Sequence, residues 1–191
     1  DLHSTSRRQR QMCIRDRRNL EIGMKRLLVI FLSCLPLLGW ALKEGEVKVL
    51  KKGDLCPEFV FRDTEGKGVS LEQFKRKYVV IDVWASWCQP CKQEFPHLKE
   101  LEEKYKDKNI VFVSISSDTQ ERRWRFELGF LRERLKLQWW IDGNEEFMKV
   151  FEIMTLPRMI LLDKEGRIVK LKLPKPSDVE FEKILKRLKG L

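Results

Sequence analysis

Two of the five cysteines stand three residues apart, in Trp84-Ala-Ser-Trp-Cys-Gln-Pro-Cys91. Cys88 and Cys91 follow an apolar, strand-like run and precede a helical pattern, a context that suits a redox dithiol. A helix's first turn offers unpaired N–H groups and the positive end of its dipole, and both stabilise a thiolate at Cys88. The thiolate is the nucleophile in disulfide exchange, and cysteines at this spacing commonly have depressed pKa values. The same spacing folds Cys91 back within disulfide reach of Cys88. Pro90 suits the opening of a helix, where a missing N–H costs nothing. A static structural disulfide or half of a zinc site would use the same pair. Zinc favours four ligands, yet beyond residue 41 only Cys56 and His97 could join, and no second CxxC exists. His97 falls on a helix, where a surface position is its default.

The elements that must position this pair are written in the hydrophobic pattern. Tyr78-Val-Val-Ile-Asp-Val-Trp84 is almost continuously apolar, as in a strand buried on both faces, with Trp84 in the core. Glu94–Tyr105 repeats Phe95, Leu98, Leu101 and Tyr105 at helical spacing. Ile110–Ser116 reads as a second buried strand, and Gln120–Leu135 as a charged helix with Trp124, Leu128 and Leu131 on one face. Leu137–Ile141 is a short strand and Glu145–Phe151 a short helix. Upstream, Phe59–Phe61 is a strand, Asp63–Gly66 a hairpin turn, and Ser70 caps a short helix, Leu71–Phe74. Downstream, Arg158–Asp163 and Arg167–Leu173 flank a turn at Lys164-Glu-Gly166. Ser177 then caps Asp178–Leu188, with Val179, Phe181, Ile184, Leu185 and Leu188 facing inward. Buried strands separated by helices, closing in an antiparallel hairpin, describe an α/β fold: a central mixed β-sheet flanked by helices on both faces. Residues 52–191 form one domain. Residues 42–51 are a lead-in, with Val47, Val49 and Leu50 able to add an N-terminal strand extension.

The formal charge of +10 invites a nucleic-acid reading until it is located. Residues 1–41 hold eight basic and three acidic residues, so half the surplus lies in the first fifth of the chain. With 42% hydrophobic residues, 11 Phe and 6 Trp, the composition excludes disorder, collagen and a polytopic membrane protein. Met24-Lys-Arg, the apolar run Leu27–Leu38 and Gly39-Trp-Ala41 describe a secretory signal peptide, residues 24–41, cut after Ala41. The run contains Pro36 and falls short of the roughly 20 residues of a spanning helix. An uncleaved anchor, or lipidation at Cys34 in Phe31-Leu-Ser-Cys34, are the alternatives. Residues 1–23 are polar and Arg-rich and are expected to be extraneous translated sequence, with Met24 the native start. A nucleic-acid-binding arm there would strand the signal peptide in the interior, so no nucleic-acid partner is expected.

The segment Val79–Pro96, with its Trp-Ala-Ser-Trp-Cys-Gln-Pro-Cys core, strongly resembles the TlpA/ResA thiol-disulfide oxidoreductases of the thioredoxin-like superfamily. The resemblance extends over about residues 52–190, through Gly53-Asp-Leu-Cys-Pro-Glu-Phe59, Ser70-Leu-Glu-Gln-Phe74 and Leu156-Pro-Arg-Met-Ile-Leu-Leu-Asp-Lys-Glu-Gly166. Peroxiredoxins share the opening pattern but need a cysteine in a Pro/Thr-rich loop, which this chain lacks. The resemblance implies a thioredoxin-like fold in which Cys88 attacks a partner disulfide and Cys91 resolves the mixed disulfide. Pro157 matches the cis-proline beside the dithiol, where the backbone of Leu156 pairs with the substrate peptide. Asp82, six residues before Cys88, matches the family's proton-handling aspartate. In an apolar setting its pKa would rise, suiting it to take the proton of Cys91; a partly exposed strand-end aspartate would not. Glu94 matches the CxxCxxE pattern and would tune the same pair, unless it is a solvated helix charge. Trp87, Gln89 and Pro90 flank the nucleophile and would shape the docking surface. Cys56 departs from the family pattern and is expected to be a buried structural thiol.

The expected activity is an exported protein disulfide oxidoreductase, acting as a reductant on protein thiols and disulfides in a bacterial periplasm or cell envelope. Exchange passes through a mixed disulfide, so the redox-active pair Cys88–Cys91 needs no metal or organic cofactor. A membrane electron donor, a monomeric state and a part in cytochrome c maturation belong to the same expectation. The alternative is a redox-linked binding or chaperone module without turnover.

Overall fold

A computed structural model describes residues 48–132 and 134–191. The expectations for residues 1–23, for the signal peptide and for Val47 lie outside the described residues. The elements are β1 (Phe61–Asp63), β2 (Gly68–Val69), a 3-10 turn (Leu71–Phe74), β3 (Tyr78–Trp84), α1 (Gln89–Lys104), β4 (Ile110–Ser116) and α2 (Glu121–Phe130). They continue as β5 (Leu137–Trp140), α3 (Glu145–Val150), β6 (Arg158–Leu162), β7 (Ile168–Lys170) and α4 (Val179–Lys186). The strands make one sheet, in the order β2-β1-β5-β4-β3-β6-β7. β3, β4 and β5 run parallel, while β6, β7, β1 and β2 pair antiparallel, so the sheet is mixed as expected.

Both faces of the sheet are covered. Every residue of β3 is buried, and alternation along the strand sends Val80 and Trp84 one way and Val79, Ile81 and Val83 the other. Val80 and Trp84 pack with Phe95 and Leu98 of α1, Trp124 of α2 and Phe181 of α4. Val79, Ile81 and Val83 pack with Phe147 of α3 and the N-terminal Phe59 and Phe61. Phe147 meets both of those rings edge-on, at 5.3 and 5.4 Å between centroids. Among the described residues, no helix is long and apolar enough to cross a membrane.

Several boundaries differ from the sequence reading. Residues 48–50 form no strand; Leu50 is instead buried, its N–H donating to the Val150 carbonyl at 2.8 Å. The N-terminal addition to the sheet is the β1–β2 hairpin, which pairs with β5. β1 begins at Phe61 rather than Phe59. α1 opens directly after Cys88, well before the helix read from residue 94, because its first turn packs the dithiol and carries no apolar stripe. α2 stops at Phe130, and Leu131 turns extended (φ −78°, ψ 107°). The Arg134 guanidinium donates to the Leu128 and Leu131 carbonyls there, satisfying helix-end acceptors that a further turn would have used. The N-cap of α4 is Asp178, whose carboxylate accepts the Glu180 N–H at 2.9 Å, and Val179 is exposed rather than inward. Ser177 is engaged elsewhere.

Candidate active site

β3 is an interior strand of the sheet, between β4 and β6, and ends at Trp84; the chain reaches α1 through Ala85-Ser-Trp-Cys88. Cys88 is the N-cap of α1, its Sγ accepting the Cys91 N–H at 3.2 Å, and Pro90 lies in the first turn. The two sulfurs are joined at 1.99 Å, with Cα atoms 5.3 Å apart. The pair is thus joined as a disulfide, the oxidised state of a redox dithiol and equally the form of a static crosslink. Cys88 and Cys91 are both buried in this oxidised form, Cys91 the deeper, and the lip around them is exposed Trp87, Gln89 and Pro90.

The antiparallel run of β6 brings a second segment to the same end of the sheet. Arg158 is registered opposite Val83, so Leu156-Pro157 lies level with the end of β3, next to the loop that carries Cys88. The Leu156-Pro157 peptide bond is cis. Both residues are half-buried, and Met154, just before them, is exposed.

Asp82 lies on the face of the sheet that carries the pair. Strand alternation puts it on the face of Val80 and Trp84, the face that Cys91, Phe95 and α4 cover. It is wholly buried, and its Oδ2 accepts the Ser114 hydroxyl at 2.7 Å while Oδ1 has no partner among the described residues. Burial pushes the Asp82 carboxyl up to about 7; the Ser114 hydrogen bond pulls against this and the nearby charge of Glu94 adds to it. Glu94 is not a solvated helix charge. It is buried, and its two oxygens accept the Ser177 N–H at 2.9 Å and the Ser177 hydroxyl at 3.0 Å, tying α1 to the approach to α4.

Cys56 stands far from the dithiol along the chain, among Leu55, Leu71, Phe74 and Leu162. Desolvation raises its thiol to about 12, and its Sγ lies 3.4 Å from the Pro57 carbonyl. The residue itself is only half-buried, so the structural thiol expected from the sequence sits at the edge of the core. His97 is exposed on α1.

Sequence reasoning missed the residue that anchors the loop before Cys88. Asp118, just past β4, is buried and accepts from the Ser86 N–H, the Ser86 hydroxyl and the Ser116 hydroxyl. Its own carbonyl takes the Trp140 Nε1–H at 2.6 Å. The available signal was Ser114-Ile-Ser-Ser-Asp118: polar side chains in an apolar run at the C-terminal end of a parallel strand, where α/β sheets place their sites.

The redoxin family model matches residues 51–188. The chain belongs to the redoxin family. A thiol-disulfide oxidoreductase ResA of Bacillus cereus is 30% identical over 151 residues, which cover 78% of this redoxin and 84% of that protein. A crystal structure of a thiol-disulfide oxidoreductase from Bacteroides vulgatus, 35% identical, aligns with a TM-score of 0.68 over 74% of this redoxin and 98% of that chain. A solution structure of a thiol-disulfide oxidoreductase from the same organism, 40% identical, aligns at 0.61 over 70% and 91%. The fold is thioredoxin-like, and this redoxin is a ResA-like thiol-disulfide oxidoreductase.

Proposed function

We propose that this redoxin is exported and reduces protein disulfides in a bacterial cell envelope, with Cys88 as nucleophile and Cys91 as resolving thiol. The observation that carries the assignment of roles is the position of Cys88: it caps α1, and its sulfur accepts the Cys91 N–H, so the helix end favours its thiolate. In the reduced enzyme, the Cys88 thiolate attacks one sulfur of a partner disulfide. That S–S bond breaks, one partner sulfur leaves as a thiolate, and a Cys88–partner disulfide forms. Asp82, ionised, takes the proton of Cys91. The Cys91 thiolate attacks Cys88 Sγ, the Cys88–Cys91 bond forms, and the second partner sulfur leaves. Two electrons pass from the enzyme dithiol to the partner, and a membrane dithiol donor restores the reduced state.

The other residues fit this sequence of steps. Leu156, before the cis Pro157, offers its backbone to the partner peptide next to Cys88. Trp87, Gln89 and Pro90 form the rim on which the partner rests. Burial holds the Asp82 pKa near neutrality, with the Glu94 charge adding to it, and there one carboxyl can both accept and return a proton. The exchange uses sulfur and carboxyl groups throughout, so we assign no metal or organic cofactor, and the protein works as a monomer. Export rests on the basic, apolar and small-residue pattern of residues 24–41. Cytochrome c maturation is one process such a reductant would serve.

The test is insulin reduction with dithiothreitol, together with thiol trapping. Cys88→Ser should abolish turnover, and Cys91→Ser should accumulate mixed disulfides with partner proteins in envelope extracts. Normal turnover by the Cys88 variant overturns the mechanism. Equilibration of the dithiol against glutathione tests direction: a pair less reducing than glutathione would make this redoxin an oxidant instead.

A further inference from the structure

Helix α2 turns Trp124 and Leu128 into the core, yet its outer face holds two phenylalanines in water. Phe126 and Phe130 are each 68% exposed, and their rings lie 4.9 Å apart. Arg122, Phe126 and Phe130 follow at i, i+4 and i+8, so they make one stripe along the helix. The acidic groups of α2 are already paired, Glu127 with Lys92 at 2.8 Å and Glu121 with Arg125 at 2.7 Å. Arg122 hydrogen-bonds the neutral Gln120 side chain at 3.0 Å, and neither it nor Arg123 joins an ion pair among the described residues. The stripe is therefore apolar and positively charged.

It also runs into the dithiol surface. Lys92, in the first turns of α1, donates both to the Ser86 carbonyl at 3.1 Å and to Glu127, which fixes α2 against the loop leading to Cys88. Ser86, Arg122, Arg123, Phe126 and Glu127 line one shallow depression. Ser86 adjoins exposed Trp87, the rim of the disulfide.

We propose that Phe126, Phe130, Arg122 and Arg123 form a docking surface for protein partners whose reacting cysteine is flanked by apolar and acidic residues. The surface selects which sulfur Cys88 meets. Its chemistry is complementary to that segment: guanidinium groups take carboxylates in charge-assisted hydrogen bonds, and exposed aromatic rings gain by being covered. The inference rests on the exchange reading of the dithiol given above.

The experiment uses the full chain with its dithiol reduced, and three chromogenic probes. Two are cysteine peptides carried as mixed disulfides with thionitrobenzoate, one with Leu, Phe, Asp and Glu around the cysteine, the other with Lys replacing both acids. The third is free dithiobis(nitrobenzoate). In each case Cys88 attacks the probe disulfide and thionitrobenzoate leaves as a thiolate. Cys91 then attacks Cys88 Sγ, the Cys88–probe bond breaks, and the peptide thiol (or the second thionitrobenzoate) leaves, so the probe is reduced and the dithiol oxidised. The wild type should favour the acidic peptide by about tenfold in the single-turnover second-order rate constant, the effect of a hot-spot contact. F126S/F130S should lose most of that preference, and R122E/R123E should reverse it, each measured relative to free dithiobis(nitrobenzoate). All four side chains are exposed, and circular dichroism checks that the variants fold. No release from free dithiobis(nitrobenzoate) by the wild type would defeat the exchange reading itself. Release from it with equal rates on the two peptides, or a preference that survives in both variants, overturns the docking surface alone. Sedimentation with phosphatidylglycerol vesicles that depends on Phe126 and Phe130, with no peptide preference, would assign the stripe to a membrane and overturn the proposal.

Discussion

Ser86 is held by Asp118 through both its backbone and its side chain: Asp118 Oδ2 accepts the Ser86 N–H at 2.8 Å and Oδ1 accepts the Ser86 hydroxyl at 2.7 Å. The two residues are 32 apart in sequence, so the end of β4 anchors the loop that leads to Cys88. Lys92 holds the same loop from the other direction, through the Ser86 carbonyl. The loop before the nucleophile is thus fixed from two sides, by Asp118 at the end of β4 and by Lys92 of α1.

Removing the anchor should be costly. In Asp118→Ala, the Ser86 N–H and hydroxyl, which are part-buried, and the buried Ser116 hydroxyl lose their acceptor together. An unpaired buried polar group costs about 1–3 kcal/mol, so a loss of roughly 3 kcal/mol in unfolding free energy is expected. Urea unfolding measures it, and exchange with free dithiobis(nitrobenzoate) should slow as Cys88 loses its fixed approach. A variant as stable as the wild type would show that the loop is held by other means.

Asp82 should give the protein a pH-dependent stability of unusual sign. Its carboxyl titrates near 3.8 unfolded and about 7 folded, because burial disfavours its charge. Between those values the native state binds the extra proton, so stability falls as pH rises from about 4 to about 7 and levels off above. The contribution is fully present below the unfolded pKa and lost by the folded one. Asp82→Asn removes the ionisation and keeps an acceptor for Ser114. Urea unfolding of the oxidised proteins at pH 5 and pH 8 should show a drop of a few kcal/mol in the wild type, on the order set by the shift, and a smaller one in the variant. Equal drops would mean that Asp82 is ionised at pH 5.

The central strands and the dithiol were legible because they are local: a long apolar run marks a buried strand, and the CxxC spacing defines its own geometry. Asp82, the cis-proline segment and Glu94 were reached by resemblance, since none carries a local signal of its contacts. What could not be read is held by long-range pairing. The clamp between Asp118 and Ser86 and the contact between Glu94 and Ser177, 83 residues apart, depend on which strand lies beside which. The stripe of α2 continues in sequence to Leu135, but the helix ends where Arg134 takes over its carbonyls. Ser177 has the composition of an N-cap, and the buried carboxylate of Glu94 claims it instead.

Cys56 should be a slow thiol despite its partial exposure. Desolvation raises its pKa to about 12, and the thiolate is the reacting form. With the dithiol oxidised, iodoacetamide at pH 8 should label Cys56 at least about a hundredfold more slowly in the folded protein than in urea, since few molecules carry the thiolate. Peptide mass analysis identifies the site. Fast labelling in the folded state would mean that the thiol leaves its apolar surroundings readily.

Glu94 has two roles that substitution can separate. Its charge raises the Asp82 pKa, and its oxygens receive the Ser177 N–H and hydroxyl. Glu94→Gln removes the charge but leaves an oxygen for the N–H and an amide that the Ser177 hydroxyl can accept. The Asp82 pKa should therefore fall, and the acid limb of the rate at which Cys91 resolves a mixed disulfide should move to lower pH, while unfolding free energy changes by no more than about 1 kcal/mol. Ser177→Ala does the reverse: the charge stays, one hydrogen bond is lost, and the acid limb should not move downward. Glu94→Ala loses the charge and leaves the Ser177 N–H without its acceptor, so it should show both the lowered limb and a stability loss of about 1–3 kcal/mol. Stopped-flow measurement of resolution from pH 5 to 9, with urea unfolding of the same proteins, separates the two effects. If Glu94→Gln leaves the acid limb in place, the residue fastens α1 to the start of α4 and does not tune Asp82.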